Sequence, residues 1–79
     1  MDIELCYNMV KELLSDYDFN VSQKDLYINK NLVVALKNHG ELFSIHAYNT
    51  HTTNTFKVDY TGEAQALLNA FSWWLKANS

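Results

Sequence analysis

Apolar and polar residues alternate along residues 31–49, and this alternation predicts a β-hairpin that turns at His39-Gly40. With a two-residue turn, Leu36 faces Phe43 across the hairpin. Successive strand side chains point to opposite faces, so this register makes one face wholly apolar and leaves the other mixed. The apolar face comprises Leu32, Val34, Leu36, Phe43, Ile45 and Ala47. We expect this face to lie in the core, so that aspartate is excluded at Val34 and tolerated at Ser44 on the mixed face.

Two other segments carry apolar residues at the 3.6-residue spacing of an amphipathic helix. Residues 2–17 predict a first helix with Asp2 as its N-cap. A second helix opens at Thr61-Gly62-Glu63, with Thr61 as N-cap and Glu63 in the first turn. The predicted core faces are Ile3, Cys6, Val10, Leu13, Leu14 and Tyr17 in the first helix, and Ala64, Leu67, Leu68, Phe71, Trp74 and Leu75 in the second.

The remaining segments predict one or two further strands. Residues 56–60 predict the last strand, and the polar residues 49–55 before it predict an exposed loop. Residues 26–29 predict an edge strand that pairs with residues 32–37, with a tight turn between them; the alternative is one continuous strand over residues 26–37. The chain is therefore expected to form one domain over residues 1–79. Its fold class is α+β, in the order α-β-β-β(-β)-α, with an antiparallel sheet of three to four strands and both helices packed on one face.

Composition limits the classes of function. The 79 residues are 48% hydrophobic and 14% aromatic, enough for a core, and the single cysteine excludes an internal disulfide. Net charge is −3, and all six basic residues are lysines. Because arginine is the preferred group for bidentate contacts to phosphate and guanine, its absence argues against a nucleic-acid partner. No basic, apolar leader and no membrane-length apolar run occur, so we expect a cytoplasmic protein without a membrane partner.

No residue pattern indicates catalysis, a metal or a cofactor. The three histidines, His39, His46 and His51, lie on a turn, a strand and a loop, without the spacing of metal ligands on one element. Cys6 falls on the core face of its helix, where a thiol usually acts as a small hydrophobic group. The chain has two glycines, too few for a phosphate-binding loop. We therefore expect no catalytic residues and no enzyme activity.

Two surfaces are candidates for binding another protein. Trp73 lies about 160° from the centre of the core face of its helix, at ~100° per residue. It either anchors a partner, as interface tryptophans often do, or packs against the first helix or the chain end. The second candidate is the outer face of the sheet, which helices on the other face leave uncovered; the alternative is an ordinary mixed solvent face. Its predicted members are Tyr27, Val33, Leu42, His46 and Tyr48.

The order α-β-β-β-α resembles a double-stranded RNA-binding domain over most of the chain. That family binds RNA through a basic cluster at the start of the second helix and a histidine-bearing loop between the first two strands. Here the helix begins Thr61-Gly62-Glu63-Ala64-Gln65 without a lysine, and only His39 matches the loop. The resemblance implies the fold. The lysines that would neutralise the RNA phosphates are missing.

The chain also resembles small phage-encoded anti-CRISPR proteins in size, order of elements and sign of charge. The stretches that carry the resemblance are the short first helix, the segment Leu32-Val33-Val34-Ala35-Leu36-Lys37-Asn38 running into Glu41-Leu42-Phe43-Ser44-Ile45, and the aromatic Ala70-Phe71-Ser72-Trp73-Trp74. The dense acidic loops of DNA-mimicking inhibitors are absent. The resemblance implies a phage or mobile-element inhibitor that occludes a host protein or protein complex. The alternatives are a nucleic-acid binder on an RNA-binding-domain frame and a homodimeric intracellular adaptor.

Overall fold

The computed structural model describes residues 2–79. Along the chain, one helix precedes and one helix follows five consecutive strands. The elements are α1 (Ile3–Asp16), β1 (Asn20–Gln23), β2 (Leu26–Asn29), β3 (Leu32–Asn38), β4 (Phe43–Asn49), β5 (Thr55–Tyr60) and α2 (Ala64–Asn78). The strands form one antiparallel sheet in the order β1-β2-β3-β4-β5, each hydrogen-bonded to its neighbour in sequence. The α+β class is confirmed. The expected three to four strands were too few, because β1 was not predicted.

Helix α1 begins and packs as its sequence pattern predicts. The carboxylate of Asp2 accepts a hydrogen bond of 3.0 Å from the N–H of Leu5 and so caps the first turn. Four of its predicted core residues are buried, and Leu13 and Tyr17 pack half-buried at their margin. The buried four are Ile3, Cys6, Val10 and Leu14.

The central hairpin has its predicted faces and a different register. Leu36 pairs with Ile45 instead of Phe43, because four residues, 39–42, connect the strands in place of a two-residue turn. Within that connection the N–H of His39 donates to the carbonyl of Leu42 at 3.0 Å, and Gly40 adopts a φ of +85°. A shift of two residues leaves every side chain on its original face. All six predicted core residues of the hairpin are therefore buried.

The chain before this hairpin forms two short strands. β2 pairs with β3 as predicted, so the alternative of one continuous strand over residues 26–37 is wrong. The prediction that β2 is an edge strand is also wrong, because β1 pairs with its other side. β1 was missed because its four residues are all exposed and carry little apolar signal. It pairs with β2 through an irregular register between Val21 and Gln23. The side chain of Asn29 donates to the carbonyl of Tyr17, which ties β2 to the end of α1.

Helix α2 starts two residues later than predicted but has the predicted phase. Its N-cap residue is Glu63, which makes no side-chain capping bond, so the assignment of Thr61 as N-cap was wrong. The helix buries Leu67, Phe71 and Leu75 against the sheet. The rings of Phe71 and Phe56 lie with centroids 5.2 Å apart, and Trp74 stacks on Phe71 at 6.3 Å. Aromatic pairs at these distances contribute about 0.5–1.5 kcal/mol beyond the area they bury.

One layer of helices and one layer of sheet share a single core cluster. α1 contacts α2, β3 and β4, and α2 contacts β5, so both helices cover the face that holds the buried hairpin residues. The opposite face of the sheet has no element over it in the described part of the chain. Within residues 2–79, no helix has the length and apolar content needed to cross a membrane.

Candidate partner-binding surfaces

Trp73 projects into solvent from the outer side of α2, with 77% of its surface exposed. The next residue, Trp74, is half-buried and packs against the core. Adjacent helical residues point about 100° apart, so the phase of the helix separates the two rings. The alternative in which Trp73 packs against α1 or the chain end is wrong.

Small apolar side chains line one side of Trp73 on the helix surface. Ala66, Ala70 and Ala77 are exposed on the same side of α2. Ala70 at i−3 and Ala77 at i+4 are direct neighbours of Trp73, and Ala66 at i−7 lies one turn beyond Ala70. Trp73 and these alanines form a narrow apolar strip, which is bounded on its other side by the exposed side chains of Asn69 at i−4 and Lys76 at i+3.

Tyr27 does not belong to the outer face of the sheet, where its sequence position suggested it. It pairs with Val34, whose side chain is in the core, and Tyr27 itself is only 6% exposed. The β2–β3 connection has two residues, Lys30 and Asn31, so odd-numbered residues of β2 share a face with even-numbered residues of β3. Burial, reinforced by the carboxylate of Asp25, raises the pKa of the Tyr27 hydroxyl.

Because even-numbered residues of β2 share a face with odd-numbered residues of β3, Leu26 and Ile28 also lie on the outer face, where the sequence pattern did not place them. Leu26 pairs with Ala35, and Ile28 pairs with Val33. None of these four packs against the helix-side core, and all are half-buried by one another and their neighbours. With Tyr48, the cross-strand partner of Val33, they form a contiguous apolar area that we call the outer-face patch. Its members are Leu26, Ile28, Val33, Ala35 and Tyr48.

The two other predicted members of the outer face, His46 and Leu42, lie outside the outer-face patch. Tyr48 is 41% exposed, and its neighbour two residues earlier, His46, is exposed beside its cross-strand partner Lys57. Leu42 is half-buried in the connection before β4 and belongs to no strand. The predicted set of five is therefore partly dispersed: one residue is in the core, one is in a loop, and three remain on the face.

Ser44 occupies a position on the outer face that is unexpectedly buried. It is 2% exposed, and its hydroxyl donates a hydrogen bond of 2.6 Å to the carboxylate of Asp59 on β5. This burial and this hydrogen bond argue against the predicted tolerance of aspartate at Ser44, because the new carboxylate would lie beside Asp59.

The histidines cannot meet at one metal ion. His39 lies in the β3–β4 connection and His51 in the β4–β5 connection, so the seven residues of β4 separate them by about 20 Å. Across residues 2–79, no three side chains of histidine, cysteine, aspartate or glutamate are placed to bind a metal together. Cys6 is buried in the core, and this burial raises the pKa of its thiol, which favours the unreactive protonated form.

Comparison with known proteins gives no relationship on which to base a function. No protein-family model matches the chain, and no curated protein or solved structure matches it significantly. The α+β sheet and the two surfaces described above are therefore the basis for a functional proposal.

Proposed function

We propose that this chain is a non-enzymatic protein-binding domain that inhibits a host defence protein by covering part of its surface. The observation that carries the proposal is the exposure of Trp73 beside the exposed alanines Ala66, Ala70 and Ala77 of α2. Leaving a tryptophan in water forgoes the burial that its large apolar surface would gain, and a bound partner supplies that burial. Tryptophan is also among the residues that contribute most to interface energy.

The choice of a defence protein as partner follows from the resemblance to phage-encoded inhibitors in size, order of elements and negative charge. Occlusion is the mechanism that fits the chemistry of the surface, since the Trp73 side of α2 offers shape and apolar area and carries no nucleophile or metal ligand. The outer-face patch gives the same domain a second apolar area on its opposite side.

Charge placement favours a protein partner over a nucleic acid. The six lysines lie on separate elements or connections: Lys11 on α1, Lys24 and Lys30 in two different turns, Lys37 on β3, Lys57 on β5 and Lys76 on α2. Nucleic-acid affinity depends on several cations contacting neighbouring phosphates together. We therefore expect no salt-sensitive electrophoretic shift of short duplex RNA or DNA at physiological ionic strength. Such a shift at micromolar protein concentration would favour the nucleic-acid alternative.

An interference assay in bacteria with active CRISPR systems tests the proposal. Expression of the chain is expected to restore the transformation of a targeted plasmid, and the effector complex from a responsive strain should co-purify with it. Trp73→Ala should weaken that complex by about 2 kcal/mol or more, roughly thirtyfold in Kd, and should reduce protection accordingly. If the chain protects plasmids in no system tested, the defence-inhibitor assignment is wrong.

Matched variants separate loss of binding from loss of folding. Trp73→Ala should leave the unfolding temperature nearly unchanged, because the ring is exposed. Trp74→Ala should destabilise the domain by about 3 kcal/mol, since its ring packs against Phe71 and Phe56. Leu5→Ala removes another exposed apolar side chain, on α1, and should affect neither property. If Trp73→Ala binds as tightly as the native chain, the partner surface lies elsewhere, and Tyr48→Ala tests the outer-face patch.

A further inference from the structure

β5 is an edge strand, and its backbone has hydrogen-bonding groups directed away from the sheet. The N–H of Asn49 donates to the carbonyl of Asn54 at 2.8 Å, one position beyond the Tyr48–Thr55 end of the β4–β5 ladder, and this bond fixes which β5 residues bond to β4. Such pairs alternate along an antiparallel ladder, so every second residue of β5 bonds to β4 and the others direct both backbone groups outward. The outward-directed residues are Thr55, Lys57 and Asp59.

The two edges of the sheet differ in how they could pair with another strand. β1 has four residues and an irregular register between Val21 and Gln23, a feature that commonly blocks pairing at an edge. β5 has six residues, and its register with β4 continues without interruption from Thr55 to Tyr60. β5 is therefore the edge to which a further strand can add.

The sequence of this edge is complementary to itself. Residues 55–61 read Thr-Phe-Lys-Val-Asp-Tyr-Thr, with Val58 at the centre. In an antiparallel pair related by a twofold axis at Val58, Lys57 faces Asp59 of the second copy, and Asp59 faces its Lys57. On the helix-covered side, the same axis places Phe56 opposite Tyr60 of the second copy. Opposite charges and aromatic pairs directly across antiparallel strands are both favourable.

The charges also select this register against its neighbours. A twofold axis at Lys57 would place this lysine opposite Lys57 of the second copy, and an axis at Asp59 would place this aspartate opposite Asp59 of the second copy. Both arrangements are unfavourable, because like charges face one another. An axis between two residues would pair odd-numbered residues of one β5 with even-numbered residues of the other. Because side chains alternate, the helix-covered face of one sheet would then continue into the outer face of the other. Pairing about Val58 avoids all three conflicts.

The flank of α2 next to this edge has room for a neighbouring helix. Leu68 lies in a groove with Met9 and Leu13 of α1, whereas Trp74 lies on the β5 side with its ring centroid 6.4 Å from that of Phe56. Around the circumference of α2, at ~100° per residue, Leu68 marks the side toward α1 and Trp74 the side toward β5. The side chains that follow Trp74 around the helix, farther from Leu68, are small and exposed. They are Ala66, Ala70 and Ala77. Small residues allow two helices to approach closely, so the second copy's α2 can lie beside this one above the extended sheet.

We infer that two copies of this chain associate through β5 in an antiparallel pair about a twofold axis at Val58, which forms one continuous sheet of ten strands. The Lys57 and Asp59 backbone groups of both copies make the central hydrogen bonds, and their side chains form two charge pairs on the outer face. Because Ala66, Ala70 and Ala77 also flank Trp73, the close approach of the two α2 helices and a partner bound at Trp73 would share this side of α2.

Sedimentation of the native chain and of charge-exchanged variants tests the inference. The native chain is expected to be a dimer, and Lys57→Asp and Asp59→Lys alone should each raise the dimer Kd by about tenfold or more, because each places like charges opposite one another. The double variant Lys57→Asp/Asp59→Lys restores opposite charges and should dimerise again. An equimolar mixture of the two single variants, distinguished by a mass tag, should form the mixed dimer in preference to either homodimer.

Two further variants control for other causes. Lys24→Asp makes the same change of charge in the turn between β1 and β2 and should leave the dimer Kd unchanged. Lys57→Pro removes an N–H that points away from β4, so it should abolish pairing while the monomer stays folded by circular dichroism. A native chain that remains monomeric at millimolar concentration overturns the inference. So does a dimer whose Kd is unchanged in both single variants, or a mixture without preference for the mixed dimer.

Discussion

Asn49, the last residue of β4, and Asn78, the last residue of α2, are joined by a side-chain hydrogen bond of 3.0 Å. The Asn49 side chain also organises the loop that follows it, because its amide oxygen accepts bonds from the N–H groups of His51 and Thr52 at 2.9 and 3.1 Å. Asn78 in turn donates to the carbonyl of Trp74. The polar loop between β4 and β5 is thereby attached to the end of α2, although most of its residues are exposed.

This arrangement predicts that Asn49→Ala is among the more destabilising polar substitutions in the chain. Asn49 is buried, and its removal leaves two loop N–H groups without their acceptor and removes one of the two hydrogen bonds that the Asn78 amide oxygen accepts. The expected loss in the free energy of unfolding is about 2–3 kcal/mol, measured by urea denaturation. Asn54→Ala is the matched control, because its exposed side chain makes one longer bond to Asn78, and its loss should be within about 0.5 kcal/mol. Equal losses in the two variants would contradict this role for Asn49.

Side-chain alternation predicted the faces of the central hairpin but could not determine its register. The four-residue connection shifted the pairing of Leu36 from Phe43 to Ile45, and a shift by two preserves every face. The outcome for Tyr27 differed because the β2–β3 turn reverses parity between the two strands, and a count along the sequence cannot show this unless the turn length is known. Helical phase, which a 15-residue helix determines well, predicted that Trp73 lies away from the core face, but it left open whether the ring is exposed or packs against α1 or the chain end.

The β2–β3 turn holds Lys30 at a φ of +52°, a conformation that costs a non-glycine residue about 1 kcal/mol. Lys30→Gly should therefore stabilise the domain by up to about 1 kcal/mol, since glycine enters this region without a steric penalty. The converse control is Gly40→Ala at a φ of +85°, which should destabilise by a similar amount although no atom lies within 4 Å of the added methyl group. Thermal unfolding of both variants measures the two effects. A destabilised Lys30→Gly would show that the lysine side chain makes a contact that outweighs the backbone strain.

The raised pKa values of Cys6 and Tyr27 predict that stability falls at alkaline pH. Burial is the main cause in both, and it favours the neutral thiol and the neutral phenol in the folded state. The unfolded chain therefore loses its protons first, so the stabilising contribution is complete below the unfolded values of 9.0 and 10.0 and is lost as pH rises above them. Cys6→Ala should reduce the slope of unfolding free energy against pH from about 9 upward, and Tyr27→Phe should reduce it about one unit higher. A slope that is unchanged in both variants would assign the alkaline loss to other groups.

Aspartate at three positions of the sheet should produce three graded losses of stability. Val34→Asp places a charge at a fully buried position of the helix-covered face, so a loss greater than about 3 kcal/mol is expected. Ser44→Asp is on the outer face, but it removes the hydrogen bond to Asp59 and brings two carboxylates together, so a loss of about 1–3 kcal/mol is expected.

His46→Asp completes the series because His46 is exposed and its cross-strand partner is Lys57, so stability should change by no more than about 0.5 kcal/mol. Urea unfolding curves give the order directly, and Asp59→Asn combined with Ser44→Asp tests its cause. If repulsion between the two carboxylates dominates at Ser44, removing the charge of Asp59 should recover most of the loss. An equally large loss in that double variant would instead make burial of the new charge the dominant cost, and comparable losses at Val34 and His46 would contradict the assignment of the two faces.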